Sequence, residues 1–455
     1  MKVAIVVQRY GADINGGAEL HARYVAEHLA PHAQVTVLTT CAHDYVTWHD
    51  EYPAGVETIN GIAVHRFPVA HERDVKIFAR HSEQVFETPH SYVDEVKWLE
   101  AEGPTSTRLI DHIKANRAGH DYFIFFSYRY YHAYHGARAV PERAILVPTA
   151  ERDHAIGLSI FHPIFRGVRA LMYNSPEERR MIQAAANNHE VPGVVVGIGS
   201  DIPRHTRPDR FRQKYGITGR FALYVGRIDQ NKGCGELFSF FLQALPALPK
   251  GLGLVLVGKD ILPIPEHPRI RHLGFLEDTD KFDALAAADL LVMPSYYESL
   301  SMVALEAWAL GKPVLANGRC EVLRGQCIRS RAGLYYENQA EFVETVKAIA
   351  DGRTLNAALG ANGRAFFDRH YAWPVIERKY LDMLQRLDSE NARDAGRVRL
   401  QADREPGFFA RRRRTLPPAT EVLAALPSGP VIDHGPAEAR HDVPNEIGGD
   451  HAAVS

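Results

Sequence analysis

Short apolar runs alternate with helical patterns along most of this chain. Each run is continuous, without interleaved polar residues, which is typical of strands buried on both faces. Such runs separated by helices predict a parallel, doubly wound α/β sheet, and their restart near residue 220 predicts two similar units that face each other across a cleft. The predicted strands are residues 2–7, 35–39, 61–67, 121–126, 145–147, 170–173, 194–196, 221–225, 254–257, 270–273, 290–293 and 314–316.

The predicted domain boundaries lie where this alternation stops. Residues 197–219 contain prolines and arginines without periodicity, which predicts a linker between an N-terminal domain, 1–198, and a C-terminal domain, 199–373. A last helical pattern covers about residues 374–387. Residues 388–455 are rich in Pro, Ala, Arg and charge without periodicity, so we expect a disordered tail there.

Composition excludes several classes of protein. A net charge of −2 argues against general nucleic-acid binding, and four cysteines without metal-like pairing predict a reduced, cytoplasmic chain. The first apolar run has no cleavage site and is too short to span a bilayer. None of the 23 histidines forms a zinc signature, and no Asp-x-Asp follows a strand, so the sequence requires no metal or other cofactor.

A buried helix with a charge in its middle is predicted at about residues 301–310. Its side chains are apolar all round except for Glu306, and a buried carboxylate is costly unless something binds it. Glu298 lies eight positions earlier, on the order of 12 Å away along a helix axis. The amides of Ser299, Leu300 and Ser301 lie between the two glutamates, at a helix start that attracts phosphate. This arrangement suits a nucleoside diphosphate sugar; the alternative is a structural ion pair of Glu306 with an arginine.

Two glycine-containing loops follow predicted strands. After the strand at 221–225, Gly226 is followed by Arg227 and Lys232, five residues apart, and both cations could reach a diphosphate. After the first strand, Gly16 and Gly17 open a helix and permit close backbone approach to a ligand. Their spacing is not the dinucleotide fingerprint G-x-G-x-x-G. Surface cations and a simple turn are the alternative interpretations of these two loops.

Together these residues resemble the retaining glycosyltransferases of family 4, and the resemblance covers most of residues 1–387. It implies two Rossmann-like domains of the GT-B type, with the donor held mainly by the second domain and the helix at 374–387 returning to the first. The matching motifs are Gly226-Arg227, Lys232-Gly233, Pro294-Ser295, Glu298, Glu306-Ala307 and Gly311-Lys312-Pro313-Val314.

The resemblance also implies roles for single residues. Arg227 and Lys232 would contact the donor diphosphate, Glu306 the ribose hydroxyls and Glu298 the transferred sugar. Gly17 would bring its amide near the donor phosphate and the acceptor. Gly258, and residues 274–276, would lie near the nucleotide and its base.

The acceptor side departs from the family pattern. Many relatives carry a histidine after the strand that ends near residue 147, whereas this chain has Glu151 there. Glu151, Asp153 or His154 could each supply the polar group that faces the reacting carbon. Arg129 and His132 lie in an aromatic segment that could line the acceptor site, because sugars stack on aromatic faces; buried aromatics at a helix start are the alternative.

The sequence therefore predicts a metal-independent retaining hexosyltransferase, which moves a sugar from a UDP- or GDP-sugar to a glycan or a lipid-linked acceptor. A sugar-nucleotide epimerase or a phosphorylase on the same fold is one alternative, and a glycan-binding protein without catalysis is another. The tail segment Phe408-Phe409, followed by Arg411–Arg414, is either a peripheral membrane contact at the inner face or a solvated charge run. We expect no nucleic-acid partner.

Overall fold

The computed structural model describes residues 1–14, 16–393 and 414–432. Sixteen strands lie within these ranges, and most of them begin and end within one or two residues of the predicted runs. The strands are β1 Lys2–Val6, β2 Gln34–Thr40, β3 Gly55–Ile59, β4 Ile62–Phe67, β5 His90–Ser91, β6 Tyr122–Phe126, β7 Ala144–Val147, β8 Ala170–Tyr173, β9 Gly193–Val195, β10 Phe221–Val225, β11 Gly253–Val257, β12 Ile270–His272, β13 Leu290–Met293, β14 Val314–Asn317, β15 Gly333–Tyr336 and β16 Thr415–Leu416.

Helices connect these strands and cover both faces of the sheets. In the described residues the α-helices are α1 Gly17–Leu29, α2 Val75–Glu87, α3 Tyr92–Glu102, α4 Thr107–Ala115, α5 Tyr131–Ala139, α6 His162–Gly167, α7 Pro176–Ala186, α8 Pro208–Tyr215, α9 Cys234–Ala244, α10 Asp278–Ala287, α11 Met302–Ala309, α12 Glu321–Ser330, α13 Gln339–Asp351, α14 Arg353–His370, α15 Trp373–Arg393 and α16 Ala419–Ala425.

Two doubly wound sheets form the core, which confirms the predicted α/β class. The first has the strand order β3-β4-β2-β1-β6-β7-β8-β9 and is parallel except for the β3–β4 hairpin. The second has the order β12-β11-β10-β13-β14-β15 and is parallel throughout. Strand order reverses beside β1 in the first sheet and beside β10 in the second. Ligands of such sheets bind beyond the carboxyl ends of the strands at these reversals, which places a site in the loops after β1, β10 and β13.

Helix α11 is buried as its apolar sequence predicts. Its residues from Ala304 to Ala309 are at most 1% exposed. The ring of Trp308 packs edge-on against Phe366 of α14, at 5.7 Å between ring centroids. Gly363 permits this contact, because a Cβ there would lie 2.6 Å from the Trp308 ring. This packing fixes the helix that carries Glu306.

Helix α15 packs on the first domain, although it follows the second in sequence. Trp373 stacks on His28 of α1, with 3.6 Å between ring centroids and an angle of 11° between the planes. Further along α15, Asp388 accepts a hydrogen bond of 2.7 Å from the Tyr122 hydroxyl. The helix predicted at 374–387 is therefore longer, and it ties the end of the second domain to the first.

Three predictions need correction. The expected linker at 197–219 contains the helix α8, and the expected disordered tail begins too early, because α15 continues to Arg393. Residues 414–432 also have defined structure: β16 pairs antiparallel with β5, and α16 packs on residues 154–157. The remainder of the predicted tail, 394–413 and 433–455, lies outside the described residues.

The basic run at Arg411–Arg414 also lies outside the described residues, apart from Arg414, so both interpretations of it stay predictions. Within the part of the chain that the structure describes, no helix combines the length and the hydropathy that crossing a bilayer requires.

Candidate active site

A cleft between the two domains contains a cavity that one predicted site residue, Glu298, lines. The first domain contributes the loop after β7 and the start of α7, and the second contributes the loop after β13 and the start of α12. Residues from both sides line one cavity: Ala150, Arg152, Glu177, Glu178 and Met181, with Tyr296, Tyr297, Glu298, Arg319, Cys320, Glu321 and Val322 opposite.

Glu306 has one bound and one unbound carboxylate oxygen. Its Oε1 accepts hydrogen bonds from Ser200 Oγ at 2.8 Å and from Lys281 Nζ at 3.1 Å. Its Oε2 is buried and has no hydrogen-bond partner. Burial raises the pKa of this carboxyl, against the opposing effects of Lys281 and Ser200. The alternative of a fully satisfied structural ion pair therefore accounts for only one of the two carboxylate oxygens.

Lys232 and Glu298 form an ion pair between two loops of the second domain. Lys232 Nζ lies 2.8 Å from Glu298 Oε1, and the Glu298 side chain is 11% exposed. The charges of this pair also act on Glu151 of the first domain. Burial raises the pKa of Glu151 to about 7; Lys232 opposes that shift and Glu298 adds to it. The charge states of Glu151, Lys232 and Glu298 therefore depend on one another.

The loop after β10 is shaped by close backbone contacts. Asp229 pairs with the Arg227 guanidinium and accepts the Lys232 amide at 2.7 Å. A Cβ on Gly233 would lie 2.0 Å from the Pro294 carbonyl oxygen, so only glycine allows this loop to touch the loop after β13. Arg227 remains 46% exposed. The loop therefore presents an ordered lysine and a more accessible arginine to the cleft.

The start of α11 faces the first domain. Ser301 caps the helix and accepts a hydrogen bond from the Ala304 amide at 3.3 Å. Ser299 Oγ accepts a hydrogen bond of 3.2 Å from Asn174 Nδ2, across the cleft. Leu300 is buried between them. The predicted phosphate-binding amides thus lie at a capped helix start that a first-domain residue already contacts.

The first-domain loop after β1 adds a charged pair that sequence reasoning missed. Arg9 donates to Glu19 Oε1 through Nε at 2.9 Å and through Nη2 at 2.6 Å. Gly16 leaves room for this pair, because a Cβ there would lie 2.2 Å from Glu19 Oε2. A Cβ on Gly17 would meet nothing within 4 Å, so the beginning of α1 is open to a ligand.

The acceptor-side candidates separate into different environments. Arg129 donates to Asp153 at 2.7 Å and lies 2.9 Å from Glu102, so Arg129 and Asp153 neutralise each other. His132 is fully buried and shares a hydrogen bond of 3.0 Å with the Phe126 carbonyl; burial lowers its pKa to about 4. His154 is exposed and packs edge-on against Phe86. His132 is therefore a core residue, and of the three alternatives in the loop after β7, only Glu151 joins the Lys232–Glu298 pair.

Four further residues were not singled out in the sequence. Ser200 and Lys281 bind Glu306, whereas Asn174 and Glu178 lie at the cleft face of the first domain. The sequence around Glu178, Ser-Pro-Glu-Glu, is typical of a helix start. That pattern predicts a capping role for the glutamate, but it does not predict hydrogen bonds to the ends of neighbouring strands. Lys281 gave none, since its partner is distant in sequence.

Comparison with solved structures shows that the fold is that of GT-B glycosyltransferases. Sucrose-phosphate synthase from Thermosynechococcus elongatus superposes with a TM-score of 0.62 and 16% identity, over 86% of this chain and 99% of that chain. HepE from Anabaena, in complex with UDP and glucose, also gives a TM-score of 0.62 at 16% identity, over 85% of this chain and 99% of that chain.

A family model matches part of the second domain. Residues 219–351 match the model described as Glycosyl transferases group 1, in agreement with the resemblance. A GDP-mannose-dependent monoacylated alpha-(1-6)-phosphatidylinositol monomannoside mannosyltransferase of Corynebacterium glutamicum is 28% identical over 48% of this chain and 62% of that protein. The lipopolysaccharide core biosynthesis glycosyltransferase LpsE of Rhizobium meliloti is 26% identical over 48% of this chain and 65% of that protein. Each match spans less than two thirds of the relative.

Proposed function

We propose that the protein is a retaining hexosyltransferase that uses a UDP- or GDP-sugar. The observation that carries the proposal is the unpaired, buried Oε2 of Glu306. A buried acceptor without a partner costs free energy, and the ribose hydroxyls of a nucleotide donate the hydrogen bonds that it lacks.

The rest of the donor follows from the positions of the charged groups. The diphosphate lies against Arg227, Lys232 and the amides at the start of α11, where fixed cations and unpaired N–H groups favour negative charge. Glu298 is eight positions before Glu306 and accepts hydrogen bonds from the transferred sugar. Lys232 then exchanges part of its contact with Glu298 for a phosphate oxygen.

The proposed reaction replaces one bond at the anomeric carbon by another on the same face. The bond from this carbon to the diphosphate oxygen breaks, and a bond to the acceptor oxygen forms. The acceptor proton passes to the leaving phosphate oxygen, so no protein base is required. Ionised Glu151 faces the reacting carbon and stabilises its developing positive charge, while Arg227 and Lys232 stabilise the leaving group without a metal.

The donor and acceptor classes are supported by the named relatives. One relative is GDP-mannose-dependent and acts on a phosphatidylinositol mannoside, and another belongs to lipopolysaccharide core biosynthesis. A glycan or a lipid-linked glycan is accordingly the acceptor that we propose.

Thermal unfolding against a panel of UDP-, GDP- and ADP-sugars tests the donor, because a ligand that binds only the folded state raises the melting temperature. We expect a UDP- or GDP-sugar to raise it. Product analysis with the stabilising donor then identifies the reaction. Transfer to an added glycan with retained configuration, undiminished in EDTA, supports the proposal. Conversion of the donor in the absence of an acceptor would identify an epimerase. A requirement for free phosphate would identify a phosphorylase, and binding of the donor without turnover would identify a sugar-binding protein.

A further inference from the structure

A buried carboxylate joins the ends of two strands on the cleft side of the first domain. Glu178, in the first turn of α7, is 1% exposed. Its Oε1 accepts a hydrogen bond of 2.5 Å from the amide of Ala150, just after β7, and its Oε2 accepts one from the amide of Asn174, just after β8. Both oxygens are thus used on the backbone of neighbouring strands, beyond what capping of α7 requires.

The two amides belong to the parts of the first domain that face the donor. Ala150 immediately precedes Glu151, whose carboxyl interacts with Lys232 and Glu298. The side chain of Asn174 donates to Ser299 Oγ, in the loop before α11. A single carboxyl group therefore holds the backbone next to Glu151 and the backbone of Asn174, whose side chain contacts the loop before α11.

We propose that Glu178 is a positioning residue for glycosyl transfer, an inference that rests on the proposed function. It holds Glu151 against the reacting sugar and Asn174 against the start of α11. Both oxygens of a carboxyl group can accept from an N–H, whether the group is ionised or protonated, whereas a glutamine has one acceptor oxygen and its NH₂ group would face the second N–H donor. Glu178→Gln can consequently satisfy only one of the two strand ends, and a displacement of about 1 Å near reacting atoms can cost on the order of 100-fold in rate.

Glu95 supplies a matched control in the same domain. It is also 1% exposed, and its carboxylate accepts two backbone amides, from Ser159 at 3.1 Å and from Ile160 at 2.7 Å. It does not line the cleft cavity. Glu95→Gln removes the same kind of bond from the fold without touching the cleft.

The experiment measures melting temperature, UDP binding and steady-state transfer from UDP-glucose and GDP-mannose in wild type and both variants. We expect both variants to melt earlier and to bind UDP within twofold of wild type. Glu178→Gln should lower kcat at least tenfold and leave the donor KM nearly unchanged. It should also shift the pH midpoint of kcat. Glu95→Gln should change neither kcat nor this midpoint. Equal kinetics and pH profiles in the two variants would overturn the proposal.

Amide hydrogen exchange separates this inference from the proposed function. If wild type transferred from neither donor, the proposed function would fail, yet exchange would still test Glu178. We expect at least one of the Ala150 and Asn174 amides to exchange at least tenfold faster in Glu178→Gln than in Glu95→Gln. Unchanged protection at both amides would show that Glu178 does not hold them.

Discussion

Lys232 and Glu298 lie on loops that follow different strands of the second sheet, yet their charged groups are 2.8 Å apart. The contact requires the close approach of the two loops at Gly233 and Pro294. It keeps a cation in place at the cleft before any donor arrives. When a diphosphate binds, the Lys232 ammonium group only has to move from the Glu298 carboxylate towards the phosphate. Little side-chain entropy is then lost, because the lysine is already ordered.

Removal of either cleft cation should lower turnover far more than stability. We expect Lys232→Ala to reduce kcat/KM by a factor of about 100 or more, because a fixed charge at the leaving group is lost. Arg227→Ala should act in the same direction. Steady-state kinetics and urea unfolding measure the two effects. Lys347→Ala, a surface ion-pair variant, is the control and should change neither. Full transfer activity in both cleft variants would show that the diphosphate binds elsewhere.

The pH dependence of transfer should report Glu151. Burial raises its pKa to about 7, so the ionised form that stabilises positive charge increases as the pH rises through that value. We expect log kcat to rise between pH 6 and 8 in wild type and to flatten in Glu151→Gln, at a lower level. The control is Asp368→Asn, at an exposed ion pair with Arg364 of α14, which should keep the wild-type midpoint. A pH-independent wild-type rate over this range would exclude Glu151 from this role.

Stability should depend on pH in the opposite sense through Glu178. Burial raises its pKa to about 8 from an ordinary value of 4.5. The folded protein thus holds a proton that the unfolded chain has released, and this contribution to stability falls as the pH rises from about 4.5 to 8. The slope is about 1.4 kcal/mol per pH unit. Urea unfolding at several pH values should show a shallower decline in Glu178→Gln; equal slopes in the two proteins would contradict the expectation.

A buried ion pair closes the seam between the domains beside the cleft. Glu177 of α7 accepts from Arg329 of α12, one contact being 3.0 Å, and both side chains are 2% exposed. The amide of Val431 donates to Glu177 at 2.9 Å, and its carbonyl accepts from Arg329 at 2.6 Å. The pair therefore joins both domains and the segment 414–432.

Removal of one partner of this ion pair should lower the free energy of unfolding more than replacement of both partners by apolar residues. We expect Glu177→Leu to destabilise by about 3–5 kcal/mol, because it leaves a buried guanidinium unpaired, and Glu177→Leu with Arg329→Met to recover part of that loss. Urea unfolding of the two single variants and the double variant measures the coupling. Additive effects would mean that the two charges do not depend on each other.

The sequence predicted local features better than long-range ones. The strands at 221–225 and 290–293 begin and end where their patterns indicated, because apolar runs are local signals. Burial of Glu306 also followed from the apolar helix around it. Its partner Lys281 could not be predicted, since the pair depends on how α10 packs on α11.

The segment 414–432 shows the same limit. Strand β16 is two residues long and exists through pairing with β5, more than 300 positions earlier. Nothing in the composition of this segment distinguishes it from a tail. Likewise, the patterns of His132 and Glu151 did not reveal which one faces the cleft, because this depends on the direction in which each loop leaves its strand.

The most direct test of the account is nucleotide binding by Glu306→Gln. The variant keeps the volume of the side chain but gives up the charge that attracts the ribose hydroxyls. Asp283→Asn is the control, because Asp283 is a buried carboxylate of the same domain that binds Arg207 and Arg210 and, among the residues that the structure describes, makes no hydrogen bond with Glu306. Calorimetric titration with UDP and GDP should show binding of one of them to wild type and to Asp283→Asn. We predict at least tenfold weaker binding to Glu306→Gln; unchanged binding to this variant would contradict the central claim.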